Sequence, residues 1–487
     1  MSGRHGGPVP AARPRARRAL FVFLILFVSS GYFFPRWGRT DWAASARADL
    51  VFAVADRGVL HIDDYHENTG DKALYAGHYY AVGSIGPSLL ALPAYLAVRP
   101  LLDRVRSPDR RARLALYAMT LFAVSFPAAL LGVAVYAFAC RFASERSAFV
   151  LALVYGLGTV AFPYSKALFQ HQVSAFGLFV GFYLLWRVVR EGATGWRLPV
   201  AGALFGLAAI SEYPVALFAG LVFLWAVAEA RDRRALAGVV LGGLPLLLLL
   251  AAYDYAIFGT PFPVGYRYHV EYHGMHARGF MGIAEPRWDA LVGVTVSPYR
   301  GLFWLSPVLL LALPGLRRLW RTAGDRRTAA LLAAVIAGFL LYVGSYGYWW
   351  GGDAIGPRFL VPAVPFLVLA AAAAIDDWLA RPVTLGVFAG LTAWSLINVW
   401  AQSVAGQQYP PYEFRGAVVT NPTFQWAIPL LREGDVARNV GHLLGLEGLS
   451  SLVPLLVVLG VLVWAGLDDA VRRGSQPVRE DPSLHSG

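Results

Sequence analysis

The chain has 487 residues, of which 57% are hydrophobic, and its mean hydropathy is +0.52. Apolar runs of about 20 residues recur along it, each long enough to cross a hydrocarbon core of about 30 Å, which excludes a soluble domain. The formal net charge is +12, but the arginines lie in short loops between apolar runs, which indicates membrane topology rather than nucleic-acid binding. A single cysteine, Cys140, excludes an intrachain disulfide and a cysteine-based metal site.

The N-terminus has a basic segment, "RPRARR", followed by the apolar run "ALFVFLILFVSSGYFF". The small-residue site Ala44-Ser45-Ala46 lies well beyond that run, whereas signal cleavage closely follows the apolar core. We therefore expect an uncleaved first span with a cytoplasmic N-terminus. The predicted organisation is a basic cytoplasmic tail over 1–18, one transmembrane domain over 19–467 and a disordered cytoplasmic tail over 468–487.

The apolar runs predict about twelve membrane-spanning helices, so the expected fold class is an all-α polytopic membrane protein. The predicted spans are 19–35, 114–139, 147–163, 173–189, 198–211, 215–229, 236–253, 302–316, 328–346, 359–375, 383–401 and 451–467. The run 85–102 is ambiguous because it contains Pro87, Pro93 and Pro100. These prolines favour a broken helix at the membrane interface over a crossing.

The distribution of arginine supports this count of spans. Without a crossing at 85–102, the arginine-rich short loops and both termini fall in the cytoplasm, as the positive-inside rule requires. The long loops 36–113, 254–301 and 402–450 then lie outside, with shorter external segments at 164–172, 211–214 and 348–359. The one exception to the positive-inside rule is an external basic cluster, Arg104 to Arg113.

The interiors of the predicted spans contain no Asp, Glu, Lys, Arg or His. Ion-coupled transporters place ionisable groups near the membrane midplane, so their absence argues against a secondary transporter. Any chemistry is therefore expected at the outer membrane surface.

The first external loop carries the densest polar segment, "IDDYHENTGDKALYAGHYY" over 62–80. Asp63 and Asp71 are candidate general bases or cation ligands, because a carboxylate can take a proton from an acceptor hydroxyl or bind a divalent ion. Upstream, Arg47 and Asp49 lie on a predicted amphipathic helix that ends at Gly58. The alternative for each carboxylate is a solvated loop or helix end.

Further polar residues lie on the predicted outer face. His66, Lys72 and His78 offer partners for an anionic leaving group, and the chain's other lysine, Lys166, shares the motif "FPYSKALFQHQ" with His171. Snorkelling of Lys166 and an interfacial role for His171 remain alternatives. In "WWGGDAIGPR", Trp349 and Trp350 form either an aromatic belt or a sugar-stacking platform, and Asp353 and Arg358 are candidate substrate contacts. Weaker candidates in the loop 254–301 are Arg267, His269, His273 and Arg300.

These motifs resemble the GT-C superfamily of polyprenyl-phosphate-dependent glycosyltransferases, in the group of protein mannosyltransferases and aminoarabinose transferases. The similar segments are "RGVLHIDDYHENTGDKALYAGHYY", "GPSLLALPAY", "YGLGTVAFPYSKALFQHQ" and "WWGGDAIGPRFLVPAVP". The resemblance covers most of residues 40–365. One departure is the sequence Ala-Val-Gly-Ser-Ile-Gly over 81–86, where the family has an acid and a lysine.

The resemblance implies an extracytoplasmic carboxylate base, an inverting transfer and a lipid-phosphate sugar donor. The base role falls on Asp63 or Asp71, with Asp49 a third candidate. The expected substrate and phosphate contacts are Arg47, Lys72, His78, Tyr80, Lys166, His171, Trp350, Asp353 and Arg358.

The sequence thus predicts a bacterial plasma-membrane glycosyltransferase that moves a hexosyl or pentosyl group from a polyprenyl-phosphate carrier to a cell-envelope glycan, lipid or protein. Membrane lipids are expected partners and nucleic acids are not. Whether a divalent cation, Mg or Mn, takes part stays open. The alternatives are a non-catalytic GT-C relative and a lipid or polysaccharide transporter.

Overall fold

The structure is a computed structural model that describes residues 13–38, 41–262, 264–272, 274, 279 and 281–468. Most of these residues are helical. The helices are α1 Arg13–Gly31, α2 Trp42–Phe52, α3 Gly86–Leu102, α4 Pro108–Thr120, α5 Phe126–Ala139, α6 Glu145–Leu157, α7 Ala161–Tyr164, α8 Gln170–Glu191, α9 Arg197–Ser211, α10 Val215–Glu229, α11 Ala237–Phe258, α12 Trp288–Thr295, α13 Leu302–Leu305, α14 Ala312–Arg321, α15 Arg326–Gly344, α16 Val364–Ala380, α17 Pro382–Val404, α18 Ile428–Arg432, α19 Val440–Leu443 and α20 Val453–Leu467. Two antiparallel hairpins pair β1 Lys72–Tyr75 with β2 His78–Ala81, and β3 Glu413–Phe414 with β4 Ala417–Val418. The predicted tails lie outside the described residues over 1–12 and 469–487.

Seven helices of the described chain are long and apolar enough to cross a membrane, which confirms the predicted helical membrane architecture. They are Pro108–Ala139, Gln170–Glu191, Arg234–Phe258, Arg326–Gly344, Arg358–Ala380, Pro382–Val404 and Gly448–Leu467. Shorter apolar helices are Gly86–Leu102, Arg197–Ser211 and Val215–Glu229.

Several predicted spans differ in detail from the helices that form; the run 147–163, for example, is divided into α6 and α7. The run 302–316 is divided into α13, a 3-10 turn over Pro307–Leu311, and α14. Pro307 has no N–H to continue a helix, so the chain restarts there. The run 236–253 continues as α11 to Phe258, which brings Asp254 into the helix.

One end of the helix bundle collects the loops predicted to be cytoplasmic. Arg141, after α5, pairs with Glu191 at the end of α8 at 2.9 Å. Arg190 of α8 pairs with Glu229 at the end of α10 at 3.0 Å. These pairs join loops that are distant in sequence, so the basic loops meet at what we call the arginine end.

The loops predicted to be external meet at the opposite end, which we call the first-loop end. Phe34 N donates to Arg438 O at 2.9 Å, and Lys166 Nζ donates to Ser403 O at 2.6 Å. Val270 N donates to Lys72 O at 3.0 Å, which joins the loop 254–301 to β1. The polar motifs of the sequence therefore lie on one side of the bundle.

The ambiguous run 85–102 forms one continuous helix, α3, despite its internal prolines. Just before α3, Ser84 Oγ donates to Ser211 O at the end of α9. Near its other end, Arg99 pairs with Asp56 of the first loop at 3.1 Å. Both ends of α3 thus contact loops of the first-loop end, so the helix runs along that end.

The core of the bundle is aromatic and centred on α16. Phe182 of α8 packs against Phe138 of α5 at 5.3 Å and against Phe366 of α16 at 5.6 Å between ring centroids. On another face of α16, α14 approaches so closely that a Cβ at Gly315 would lie 1.9 Å from Ala370 O. Small residues at such contacts let membrane helices pack backbone against backbone, which fixes the frame that carries the loops.

Candidate active site

A cavity of about 380 Å³ opens at the first-loop end. Its lining combines carboxylates, an arginine and aromatic rings, among them Asp41, Asp71, Asp353, Arg358, Phe169, Tyr272, Tyr348, Trp350 and Tyr409. A recess of about 60 Å³ shares Asp71 and Arg358 in its lining and adds Arg47, Tyr266 and His269. We call the cavity and its recess the carboxylate cavity.

Asp71 reaches this cavity because the turn before β1 packs against α2. Thr69 Oγ1 donates to Trp42 O at 2.8 Å and accepts from Asp71 N at 2.9 Å. Gly70 lies on the Trp42 ring, where an added Cβ would be 2.5 Å from a ring carbon. The "TGD" turn therefore needs its glycine, and it holds the Asp71 backbone against the start of α2.

His269 faces the Asp71 carboxylate, with Nε2 at 3.8 Å from Oδ1. The segment that carries His269 pairs with β1 through a bridge between Ala73 and His269. Its Nδ1 accepts hydrogen bonds from the backbone N–H groups of Glu271 and Tyr272, both at 3.1 Å. An imidazole that accepts at Nδ1 carries its proton on Nε2, so His269 points an N–H at Asp71.

The surroundings of Asp71 keep it ionised. Burial raises the pKa of its carboxyl, but the His269 interaction and the charges of Arg358 and Arg47 outweigh burial and hold the pKa below the usual aspartate range. The side chain is 27% exposed, so it remains accessible from the cavity. Asp71 thus presents a permanent negative charge at neutral and mildly acidic pH.

Asp41 is a second cavity carboxylate, and sequence reasoning missed it. It is the N-cap of α2, with Oδ1 accepting from Ala44 N at 3.1 Å, while Tyr409 Oη donates to Oδ2 at 3.3 Å. Burial raises its pKa to about 6, although the Ala44 hydrogen bond and nearby arginines oppose that shift. An aspartate directly before a predicted helix is a capping signal, and that was the only clue available in the sequence.

Two guanidinium groups of the carboxylate cavity lie over the same ring. Arg358 is 5.6 Å and Arg47 is 5.9 Å from the centroid of Phe169. Arg47 donates to Ala43 O and to Gln170 Oε1, yet its Nε and the Nε of Arg358 are buried without a hydrogen-bond partner. Within the described chain neither arginine forms a salt bridge, so both have donors left for an anion.

The loop "WWGGDAIGPR" shapes one wall of the cavity. Gly351 and Gly352 have φ of +71° and +69°, and a Cβ at Gly351 would lie 2.8 Å from Arg358 Nε. The buried Arg300 donates to Gly352 O at 2.9 Å and to Ala354 O, which fixes the loop from behind. Burial raises the pKa of Asp353, which lines the cavity beside Trp350.

The other two candidate bases lie away from the carboxylate cavity. Asp63 accepts from Tyr79 N at 2.7 Å and contacts His78 Nδ1 at 2.6 Å on the outer surface of the hairpin. Asp49 is fully buried on α2, where Oδ1 accepts from Asn68 Nδ2 at 3.1 Å and burial raises its pKa to about 8.

Three predicted phosphate or substrate contacts are occupied by other groups. Lys72 donates to His66 O at 2.7 Å and lies over the Tyr79 ring. Tyr80, on β2, packs near Phe258, and the buried His171 contacts Glu212 at 3.2 Å. Of the weaker candidates, Arg267 lines neither the carboxylate cavity nor its recess, and His273 lies outside the described residues.

Lys166 lines a different cavity of about 230 Å³, which also has Tyr409 in its wall. The charged residues of that lining are all cationic: Arg36, Arg113, Lys166 and Arg438. Burial lowers the pKa of Lys166 well below its usual value, and the charge of Arg36 adds to this. Arg36 lies 4.2 Å from the Tyr409 ring, and its Nε and Nη2 are buried without a hydrogen-bond partner among the described residues. We call this the basic cavity.

No protein-family model matches the chain, and no curated protein matches it by sequence. Solved structures are similar in fold. The ArnT structure from Cupriavidus metallidurans bound to undecaprenyl phosphate aligns with a TM-score of 0.52 at 14% identity, over 94% of this chain and 76% of that one. The apo form of that ArnT aligns with a TM-score of 0.46 at 15% identity, over 76% of this chain and 61% of its own.

The archaeal oligosaccharyltransferase AglB from Archaeoglobus fulgidus, in complex with an inhibitory peptide and a dolichol-phosphate, is also similar. It aligns with a TM-score of 0.53 at 14% identity, over 87% of this chain. The chain spans only 58% of the length of AglB. At such identities the likeness concerns the fold alone, and it confirms the predicted all-α membrane-protein fold.

Proposed function

We propose that this protein is a membrane glycosyltransferase that transfers a sugar from a polyprenyl-phosphate donor to an acceptor hydroxyl. The observation that carries the proposal is the carboxylate cavity, where Asp41 and Asp71 line the same space as Arg358 and several aromatic rings. Carboxylates, an anion-binding arginine and stacking rings are the groups that glycosyl transfer from a phosphate requires. The fold supports the same reading, since the similar ArnT structure is bound to undecaprenyl phosphate and the similar AglB structure is in complex with a dolichol-phosphate.

The two carboxylates have different roles because the pKa of Asp41 is raised above the usual aspartate value and the pKa of Asp71 is lowered below it. Asp41, with a pKa raised to about 6, is the general base that takes the proton of the acceptor hydroxyl. Asp71, with a lowered pKa, stays ionised and stabilises positive charge that develops at the anomeric carbon. The acceptor oxygen forms the new bond to that carbon as the bond to the phosphate oxygen breaks with its electron pair. Attack from the face opposite the phosphate inverts the configuration.

The leaving phosphate is assigned to the arginines of the recess. Arg47 and Arg358 retain unpaired buried donors, and negative charge accumulates on the phosphate as the sugar leaves. The sugar ring then lies in the wider part of the cavity against Tyr272, Tyr348 or Trp350. This assignment replaces Lys72 and His171, whose side chains already contact His66 and Glu212.

The proposal places the reaction on the extracytoplasmic face of a bacterial plasma membrane. The carboxylate cavity is at the first-loop end, and the basic short loops gather at the other end. Loops rich in arginine stay on the cytoplasmic side, so the cavity faces outward. The acceptor is then a cell-envelope glycan, lipid or protein, and the transferred group is a hexose or pentose.

The test is a transfer assay with the purified full-length chain in lipid vesicles. Radiolabelled polyprenyl-phosphate sugars are supplied with an envelope extract as acceptor, and both transferred label and released polyprenyl phosphate are measured. The expected result is transfer by the native chain that is lost in Asp41→Asn. Donor binding without transfer would instead identify a non-catalytic relative, the alternative that the missing acid and lysine at 81–86 support. Movement of intact donor across the vesicle membrane would identify a transporter.

A further inference from the structure

Three metal-ligating side chains meet on the outer surface of the first loop, outside the carboxylate cavity. His61, Asp63 and His78 each offer one ligand atom, and these atoms all lie within 4.8 Å of one another. In the described part of the chain this is the only convergence of three such side chains. We call it the His-Asp-His cluster.

The contacts within the cluster converge on one carboxylate oxygen. Asp63 Oδ2 is 2.6 Å from His78 Nδ1 and 3.0 Å from His61 Nδ1. The two imidazole rings are stacked, with centroids 4.6 Å apart and an angle of 28° between them. His61 Nδ1 is shielded from solvent and, apart from its ion-pair contact with Asp63 Oδ2, has no hydrogen-bond partner among the described residues. A metal ion would supply that partner.

The backbone holds these ligands in place. His61 and Asp63 lie on either side of Ile62, whose fully buried side chain holds this part of the backbone in place. Ile62 N donates to Tyr79 O at 2.7 Å, and Asp63 Oδ1 accepts from Tyr79 N at 2.7 Å. The second oxygen of Asp63 is thus held by the backbone next to His78, which is how outer-shell contacts orient a ligating carboxylate.

We propose that the His-Asp-His cluster is a binding site for a divalent transition-metal ion, with Zn²⁺ as its best match. Two imidazoles and one carboxylate suit zinc, whereas Mg²⁺ and Ca²⁺ prefer oxygen ligands alone. Zinc ligands at about 2.0–2.1 Å in a tetrahedron are about 3.3 Å apart, so the contacts of Asp63 with His61 and His78 need to open by about 0.3 Å and about 0.7 Å. His78 is 50% exposed, which leaves the fourth position to water.

The ion would connect the segment that carries His61 and Asp63 to β2, which carries His78. The partner of β2 is β1, the strand that follows Asp71. Asp71 directly precedes β1, and β1 pairs with β2 from Lys72↔Ala81 to Tyr75↔His78. Metal binding is therefore expected to stabilise the hairpin that presents Asp71. Only this consequence rests on the proposed function, since metal binding itself does not require transfer activity.

The test uses the full-length protein in detergent, with any affinity tag removed and metal stripped by a chelator. Isothermal titration with Zn²⁺ alone should show one site per chain that is absent in His78→Gln and weakened at least about tenfold in Asp63→Asn. Mg²⁺ should produce no comparable heat. Co²⁺ in place of Zn²⁺ should give the visible absorption of a tetrahedral site, which shows that the protein supplies the geometry.

The matched control is His66→Gln, which removes a first-loop histidine outside the cluster. It should bind Zn²⁺ like the native chain. Thermal unfolding without metal shows that each variant is folded before titration. The proposal is overturned if the native chain binds no Zn²⁺, or if His78→Gln and His61→Gln bind it as tightly as the control. A loss of transfer with intact Zn²⁺ binding would count against the proposed function alone.

Discussion

The carboxylate cavity and the basic cavity lie side by side at the first-loop end and share Tyr409, but their charges differ. The first combines Asp41, Asp71 and Asp353 with Arg358 in its lining, whereas the charged groups lining the second are all cationic. Mixed charge suits a site where a proton moves and a bond breaks, while a lining whose charged residues are all basic suits binding of an anion. Under the proposed function, the first cavity is expected to carry out the chemistry and the second to retain an anion.

Tyr409 couples the two regions. Its hydroxyl donates to Asp41 on one side, and the Arg36 guanidinium lies over its ring on the other. The charge of Arg36 opposes the rise in the Asp41 pKa that burial causes. An anion in the basic cavity would offset the charge of Arg36, so filling that cavity should make Asp41 a slightly stronger base.

The largest effect should follow removal of a carboxylate from the first cavity. Asp41→Asn and Asp71→Asn should each lower kcat by at least about 100-fold, because one loses the proton acceptor and the other a charge at the reacting carbon. Initial rates of label transfer measure this. Asp64→Asn, which removes an exposed first-loop carboxylate that pairs with Arg57, is the matched control and should keep its rate. Equal loss in all three would show a general effect on the loop.

A slightly smaller effect is expected from the arginine that lines the first cavity and its recess. Arg358→Ala should lower kcat by about 100-fold, because the leaving phosphate loses electrostatic stabilisation, and Arg358→Lys should restore part of it. The control is Arg267→Gln at the same end of the bundle. If Arg358→Lys is as inactive as Arg358→Ala while donor binding is unchanged, the charge of Arg358 does not act on the leaving group.

The basic cavity should respond differently. Lys166→Met should weaken binding of the lipid phosphate product by about tenfold, with little change in kcat, since an anion in the basic cavity would favour the protonated form of Lys166 and pair with it. Burial disfavours the charged form of Lys166, so methionine should not lower the thermal midpoint. Product inhibition of the transfer reaction gives the affinity. A fall in kcat as large as that of Asp71→Asn would mean that the two cavities act as one site.

The sequence predicted the polar end of this molecule better than the partners within it. The positions of most spans, and the location of Asp71, Trp350, Asp353 and Arg358 at one end of the bundle, could be read from apolar runs and loop motifs, because those signals are local. The residues in the loops 36–113 and 348–359 then meet because both loops emerge at the same end of the bundle.

The remaining partners depend on contacts between distant parts of the chain. Asp41 looks like an ordinary helix cap, and its raised pKa arises from burial beside Tyr409, 368 residues later. Lys166 shares a motif with His171, but the first lines the basic cavity and the second packs against Glu212. Residues close in sequence can therefore have unrelated surroundings, and hydrophobic periodicity does not specify them.

The pH dependence should show the smallest effect and should separate the two carboxylates. Since the pKa of Asp41 is raised to about 6, kcat/KM should be halved near pH 6 and should fall further as the pH decreases. Asp71, whose pKa is lowered, stays ionised through this range and adds no step to the activity profile.

The stability of the fold should depend on pH through the same carboxyl. Because the pKa of Asp41 is higher in the folded state than in the unfolded state, Asp41 stabilises the fold fully at a pH below its unfolded-state pKa, and this contribution is lost as the pH rises through about 6. Asp41→Asn should therefore remove this pH dependence of the thermal midpoint between pH 4 and 7 while Asp71→Asn retains it. If the activity profile of the native chain is flat down to pH 5, the proton acceptor is the permanently ionised Asp71, and the division of roles between the two carboxylates is wrong.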